Sequence, residues 1–169
     1  EPDAAQPRVL LPTGSARDTL TVPGLGEVRA TMLVVGGPAV FVRADALGLT
    51  GRESPADLQG KRKIHATLEA LRAAAAVRMG LAETVEEATR LRPGEPEIAW
   101  VARPAAYRSS AGAEIAGERI DVLARILTAG RLNPAFTGTG SVALAAAAAL
   151  PGSVVGEVAR TLPGVPTRI

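Results

Sequence analysis

The run EVRATMLVV, Glu27 to Val35, constrains the fold more than any other segment of the chain. It first alternates, with Val28, Ala30 and Met32 on one face and Arg29 and Thr31 on the other, and then becomes wholly apolar. That is the pattern of a strand entering a sheet that is covered on both faces. Gly36-Gly37-Pro38 interrupts it, and Ala39 to Val42 resumes as a second short strand. The break reads either as a plain turn or bulge or as a place where backbone approaches a ligand closely.

A sheet of this kind needs enough apolar chain to cover it, and 169 residues with 47% apolar content suffice for one core. Aromatic residues are only 2%, so Ala, Val, Leu and Ile must supply the burial, and few rings remain on which bases could stack. With 19 basic against 17 acidic residues the net charge is +2, and no basic tract points to a nucleic-acid partner. The absence of cysteine removes disulfides, thiolate metal sites and cysteine nucleophiles, and one histidine leaves metal binding to carboxylates; no metal site is expected. The longest apolar stretch, Val142 to Leu150, is about half a membrane span, and the start carries no leader pattern. The expectation is a cytoplasmic protein with no membrane partner, cut at both ends from a longer chain.

Along the chain, Leu20 to Val22 with Pro23-Gly24-Leu25-Gly26 reads as a strand and turn opening a hairpin. Ser54-Pro55 is a helix start, and Lys61 to Met79 has helical periodicity through Ile64, Leu68, Leu71, Ala75 and Met79, with Gly80 as the stop. Thr84-Val85-Glu86-Glu87 predicts a short helix to Arg92, and Glu97 to Ala102 a strand ended by Pro104. Tyr107 to Gly117 reads as a loop or ragged hairpin, and Gly117 to Ala129 as a helix capped by Gly130. An alanine-rich helix from Ser141 to Leu150 and a closing strand from Val154 to Val158 complete the reading. Without the regular alternation of a doubly wound sheet, the fold class is α+β.

The sharpest local feature is Thr137-Gly138-Thr139-Gly140-Ser141, directly before a helix. Free N–H groups at a helix start, with glycines that admit close approach, bind carboxylate or phosphate; an ordinary capped entrance accounts for the same spacing. It lacks the lysine of a P-loop and the third glycine of a dinucleotide fingerprint. His65, among Lys61, Arg62 and Lys63, reads as a surface histidine rather than a base. Asp45, Glu53, Asp57, Glu69, Glu114, Glu118 and Asp121 form no pair with acid/base spacing. Arg72 and Arg78 could meet a carboxylate bidentately, though salt links are the more usual fate of such residues. From the residues alone there is an anion-binding helix entrance and no catalytic set.

At these same residues the chain resembles the PrpF family of methylaconitate cis/trans isomerases, relatives of diaminopimelate epimerase. The resemblance is carried by Leu11-Pro12-Thr13-Gly14 with Asp18-Thr19-Leu20, by Val22 to Gly26 leading into Ala30-Thr31-Met32, and by Gly37-Pro38 with Phe41-Val42. It continues through Asp45 to Gly51, Leu71-Arg72, Arg78 to Leu81, Val101-Ala102, Tyr107, Gly138-Thr139-Gly140 and Leu150-Pro151-Gly152. It implies a diaminopimelate epimerase-like domain, a curled, mostly antiparallel sheet wrapped around a central helix, with residues 1–169 forming the second of two similar domains. It further implies a small unsaturated di- or tricarboxylate substrate, isomerised by proton transfer without cofactor in a cleft between the domains. Gly37, Pro38, Gly138, Thr139, Gly140 and Ser141 are then the substrate-binding positions of this half.

The family's acid/base lysine and cysteine belong to the first domain, so no catalytic residue is assigned in this chain, which would be inactive alone. Its partners would be the polycarboxylate and a missing N-terminal domain or complementary subunit. Asn133-Pro134 stands where many members have histidine, and the segment of His-Pro-Ser-Gly character is not reached. The alternative implied by these departures is a non-catalytic binding or scaffold module that keeps the fold.

Overall fold

A computed structural model describes residues 11–161 and 165–169. Strand β1 (Asp18–Val22) and strand β2 (Gly26–Val34) form the first hairpin, and β2 turns at Gly36-Gly37 into β3 (Pro38–Arg43). A short α1 (Pro55–Leu58), the long α2 (Arg62–Arg78) and α3 (Val85–Leu91) then carry the chain over to β4 (Glu97–Ala102), which lies parallel to β3. A small ribbon, β5 (Tyr107–Arg108) with β6 (Glu114–Ile115), precedes β7 (Leu123–Thr128), β8 (Arg131–Leu132) and α4 (Gly138–Ala149). Among the described residues the main sheet has six strands in the order β1-β2-β3-β4-β7-β8, and β3–β4 is its one parallel pair. The α+β class with a mostly antiparallel sheet is therefore what the chain adopts.

The alternation read in β2 is the reason helices cover both sheet faces. Val28, Ala30 and Met32 join Val40, Val42, Ile98 and Trp100 beneath Leu68, Leu71 and Ala75 of α2. Leu33 and Val35 join Phe41, Ala99, Val101 and Ile126 against Ala143, Leu144 and Ala147 of α4. Thr31 falls on the α4 face and is fully buried, and it is satisfied on both sides. Its hydroxyl donates to the Ala16 carbonyl at 2.7 Å and accepts from the Val154 N–H at 2.9 Å.

Helix boundaries follow capping chemistry. Ser54 and Asp57 form a capping box on α1, with Pro55 in the first turn. Thr84 accepts from the Glu87 N–H at 3.1 Å to start α3. Gly80, at φ +75°, ends α2, with its own N–H and that of Leu81 donated to the Val77 and Ala76 carbonyls.

Two segments differ from their sequence reading. Residues 117–129, expected as a helix, contain only a 3₁₀ turn (Gly117–Arg119) before strand β7. The apolar residues of β7 serve both faces, Ala124 and Ile126 toward α4 and Leu127 toward α2. A strand buried on both sides has no alternation to show, and its apolar run mimics a helix. The closing strand expected at Val154 to Val158 is instead a set of helical turns, with Glu157 N–H donated to Ser153 O and Ala159 N–H to Val155 O. Ser153 Oγ caps that turn by accepting from the Gly156 N–H at 2.8 Å.

Candidate substrate cleft

The parallel pairing of β3 with β4 sets Ala39 opposite Glu97, so the start of both strands lies at one end of the sheet. The antiparallel partner β7 ends there as well, with Thr128 one step beyond the Leu127–Ile98 pair. Helix α4 begins at this same end. A Cβ built on Gly36 would lie 3.7 Å from Thr139 Cγ2, so the Gly36-Gly37-Pro38 turn and the helix entrance, far apart in sequence, are neighbours.

The entrance itself differs from the expected one. Helix α4 starts at Gly138 rather than Ser141, because Thr137 is its N-cap and accepts the Gly140 N–H at 3.0 Å. Ser141 N–H is already bonded to the Thr137 carbonyl at 2.8 Å. The amides of Gly138 and Thr139 remain without a partner among the described residues, as expected for the first turn. Gly140 is buried, and a Cβ there would come within 2.5 Å of both Ile126 Cδ1 and Thr137 Oγ1. Its lack of a side chain lets α4 sit against β7; its amide is not offered to a ligand.

A carboxylate already lies at this entrance. Glu97 accepts from Thr128 Oγ1 at 3.1 Å and Thr137 Oγ1 at 3.2 Å, with Thr139 Oγ1 at 3.4 Å, and it has no ion pair among the described residues. It complements the positive end of the α4 dipole from within the protein. Sequence reasoning passed over Glu97 because it reads as the first residue of a strand, and its partners Thr128 and Thr137 lie more than thirty residues further along the chain.

Beside the entrance opens a cavity of about 340 Å³, lined among others by Ser54, Tyr107, Arg125, Asn133, Phe136 and Ser141. Among the described residues, Arg125 and the exposed Arg108 are the cations that line it. Arg125 is half-buried, with its guanidinium 4.9 Å from the centre of the Tyr107 ring. It donates from Nε to the Glu53 carbonyl and from Nη1 to the Ala124 carbonyl, both at 2.8 Å, and Nη2 has no bond among the described residues. Burial pushes this guanidinium below its ordinary value, and Tyr107 and Glu53 offset part of that. The direct hydrogen bonds of Arg125 go to carbonyls, and no carboxylate among the described residues forms an ion pair with it, which leaves Nη2 open to an anion.

Glu53 supports that arrangement. Burial alone would raise its carboxyl, but bonds from the Thr50 N–H, the Trp100 indole and the Thr50 hydroxyl more than compensate and hold it below the usual range. The Gly51 N–H adds a further bond at 2.9 Å, from a backbone at φ +84° against Ala102 and Leu123, where a Cβ would crowd.

The remaining candidates are structural. Arg72 is buried and bonds Glu69 and the carbonyls of Arg92 and Glu95, pinning the end of α3. Arg78 pairs with Asp18 at 2.9 Å, and Asp45 with Arg43. Asp57 serves the α1 cap, and Asp121 is paired with Arg168. His65 is half-buried, its Nε2 3.0 Å from the Leu58 carbonyl, and Glu114 and Glu118 are exposed. No group of three or more potential metal ligands occurs among the described residues, and no helix there is long and apolar enough to cross a membrane.

Known proteins share this architecture. The crystal structure of a methylitaconate-delta-isomerase superposes with a TM-score of 0.88 at 32% identity, over 92% of this chain and 40% of that one. The 2-methyl-aconitate isomerases of Shewanella oneidensis and Cupriavidus necator are 43% and 38% identical over 86% of this chain. The 3-methylitaconate isomerase of Eubacterium barkeri is 34% identical over 89% of it. The chain spans only 36%, 37% and 40% of those three relatives. The model of the PrpF protein family matches residues 2–165, and with these relatives it shows that the chain belongs to the PrpF family.

Proposed function

We propose that the complete protein isomerises a small unsaturated di- or tricarboxylate, and that this chain is the second of two domains and forms one wall of the cleft. The observation that carries the reading is Arg125, a half-buried cation with no carboxylate ion pair among the described residues, in a cavity next to the α4 entrance. The names of the relatives, methylaconitate and methylitaconate isomerases, support the same substrate class.

In this reading one substrate carboxylate meets the free edge of Arg125, with Ser141 at the cavity wall. Gly37, Pro38, Gly138 and Thr139 lie outside the lining of the Arg125 cavity, and in this reading they form the rim toward the other domain. Gly140 acts through packing. A base supplied by the other domain removes a proton from the carbon next to the double bond, and the electron pair delocalises toward the carboxylate. Reprotonation at another carbon, or after rotation, returns the proton and leaves the double bond moved or its geometry changed. Arg125 favours the state in which negative charge has spread over the carboxylate, which lowers the barrier. No cofactor takes part, and no residue of this chain exchanges the proton.

The test is solvent-deuterium exchange followed by NMR on the full-length protein with methylaconitate, methylitaconate and aconitate. Incorporation of deuterium into at least one acid, coupled to isomer formation, is the expected result. Binding of these acids without exchange into any of them would reject the enzyme and leave a binding module.

A further inference from the structure

Among the described residues the Glu97 side chain is bonded by hydroxyl groups alone, and this fixes the direction of every hydrogen bond around it. A carboxylate offers acceptors alone, so Thr128 and Thr137 must both point their hydroxyl hydrogens at Glu97. The Thr137 oxygen then receives the Gly140 N–H, which is the α4 cap. The Thr128 oxygen likewise has only acceptor capacity left, and it receives Asn133 Nδ2 at 3.0 Å. Asn133 is thereby held with its NH₂ end toward Thr128, although an isolated amide could present either end. Asn133 lines the Arg125 cavity, and its Oδ1 has no partner among the described residues.

We propose that Glu97 is a positioning residue. Acting through Thr128, it locks the amide of Asn133 so that the cavity holding Arg125 is presented with one fixed face of that amide. The proposal deepens the polycarboxylate reading and rests on it for its ligand. The two relays, Asn133 to Thr128 to Glu97 and Gly140 to Thr137 to Glu97, share one acceptor. The cap of α4 and the orientation of the cavity wall are thus set by a single charge.

Replacing Glu97 by Gln gives that end of the relay a donor. Thr128 can then reverse, and Asn133 loses its fixed orientation. The experiment uses the full-length protein with tricarballylate, a saturated tricarboxylate that has no double bond to move. Titration calorimetry should show Glu97→Gln and Asn133→Ala each weakening binding roughly threefold to tenfold, the worth of one oriented hydrogen bond. The double variant should be no weaker than Asn133→Ala alone. Thr128→Val, which keeps Glu97 and the α4 cap, should show the same loss, and Glu97→Asp should recover part of it.

A second readout is independent of ligand. The Asn133 side-chain NH₂ resonances should move in Glu97→Gln and in Thr128→Val. Unmoved Asn133 resonances, or losses that multiply in the double variant, would overturn the proposal. Failure of the underlying reading looks different: Arg125→Gln would then leave tricarballylate affinity unchanged, while the Asn133 resonances would still respond to Glu97.

Discussion

Arg125 illustrates how a residue acquires its role from burial rather than from its neighbours in sequence. In the chain it follows Ala124 in an apolar run and resembles the polar face of a helix. In the sheet it is a half-buried guanidinium held by two carbonyls above a tyrosine ring. Arg125→Gln in the full-length protein is expected to lower polycarboxylate affinity at least tenfold, since a charge-assisted pair is worth about 1.5–3 kcal/mol. Arg125→Lys should restore little, because an ammonium cannot keep both carbonyl bonds and offer a free edge. Titration calorimetry decides both. Thr31 is the matching case for stability. Thr31→Val keeps the shape but orphans the buried Val154 N–H, so a loss of about 1–3 kcal/mol is expected in urea unfolding.

At the scale of elements, α4 and β7 fit together through one missing methyl group. Gly140→Ala places an atom 2.5 Å from Ile126 Cδ1 and should destabilise the fold by roughly 1–3 kcal/mol, measured by thermal melting. Ile126→Val should relieve part of that in the double variant, because it removes the Cδ1 in the way. The same contact explains what was legible here. The hairpin of β1 and β2, the helix α2 and the caps at Ser54 and Thr84 follow rules that operate within a few residues, so the sequence displays them. Strand β7 does not, since its apolar pattern comes from two layers packed on it by distant parts of the chain. The candidate site divides in the same way. Gly37-Pro38 and Gly138-Thr139 announce a turn and a helix entrance, and the structure makes them neighbours. Glu97, Thr128 and Asn133 carry no local signal, because only the β4–β7 register and the turn into α4 bring them together.

For the molecule as a whole, the sheet is the shared wall of two apolar clusters, one under α2 and one under α4. Neither cluster can open without exposing the other side of the same strands, so unfolding of the full chain should pass through one transition for both. The segment 165–169 is tied to this body through Asp121, which accepts the Arg168 N–H at 2.9 Å and pairs with its guanidinium. The side-chain bond from Arg168, then the backbone one, draws the Asp121 carboxyl from its ordinary 3.8 down to about 2. A depressed carboxyl stabilises the tie fully above pH 3.8 and loses it as pH falls through about 2. The Arg168 and Ile169 amide resonances should therefore shift over that interval, and Asp121→Asn should abolish the response.

The molecule has a single tryptophan, Trp100, wholly buried, with its indole N–H on the Glu53 carboxylate. The carbonyl of that same Glu53 receives Arg125. The chain's one indole fluorophore is thus wired, through two hydrogen bonds on one residue, to the cation that lines the cavity. An anion that pairs with Arg125 is therefore expected to change the local field at the indole, so that occupancy would be read in the colour and intensity of the protein's own emission, with no label attached.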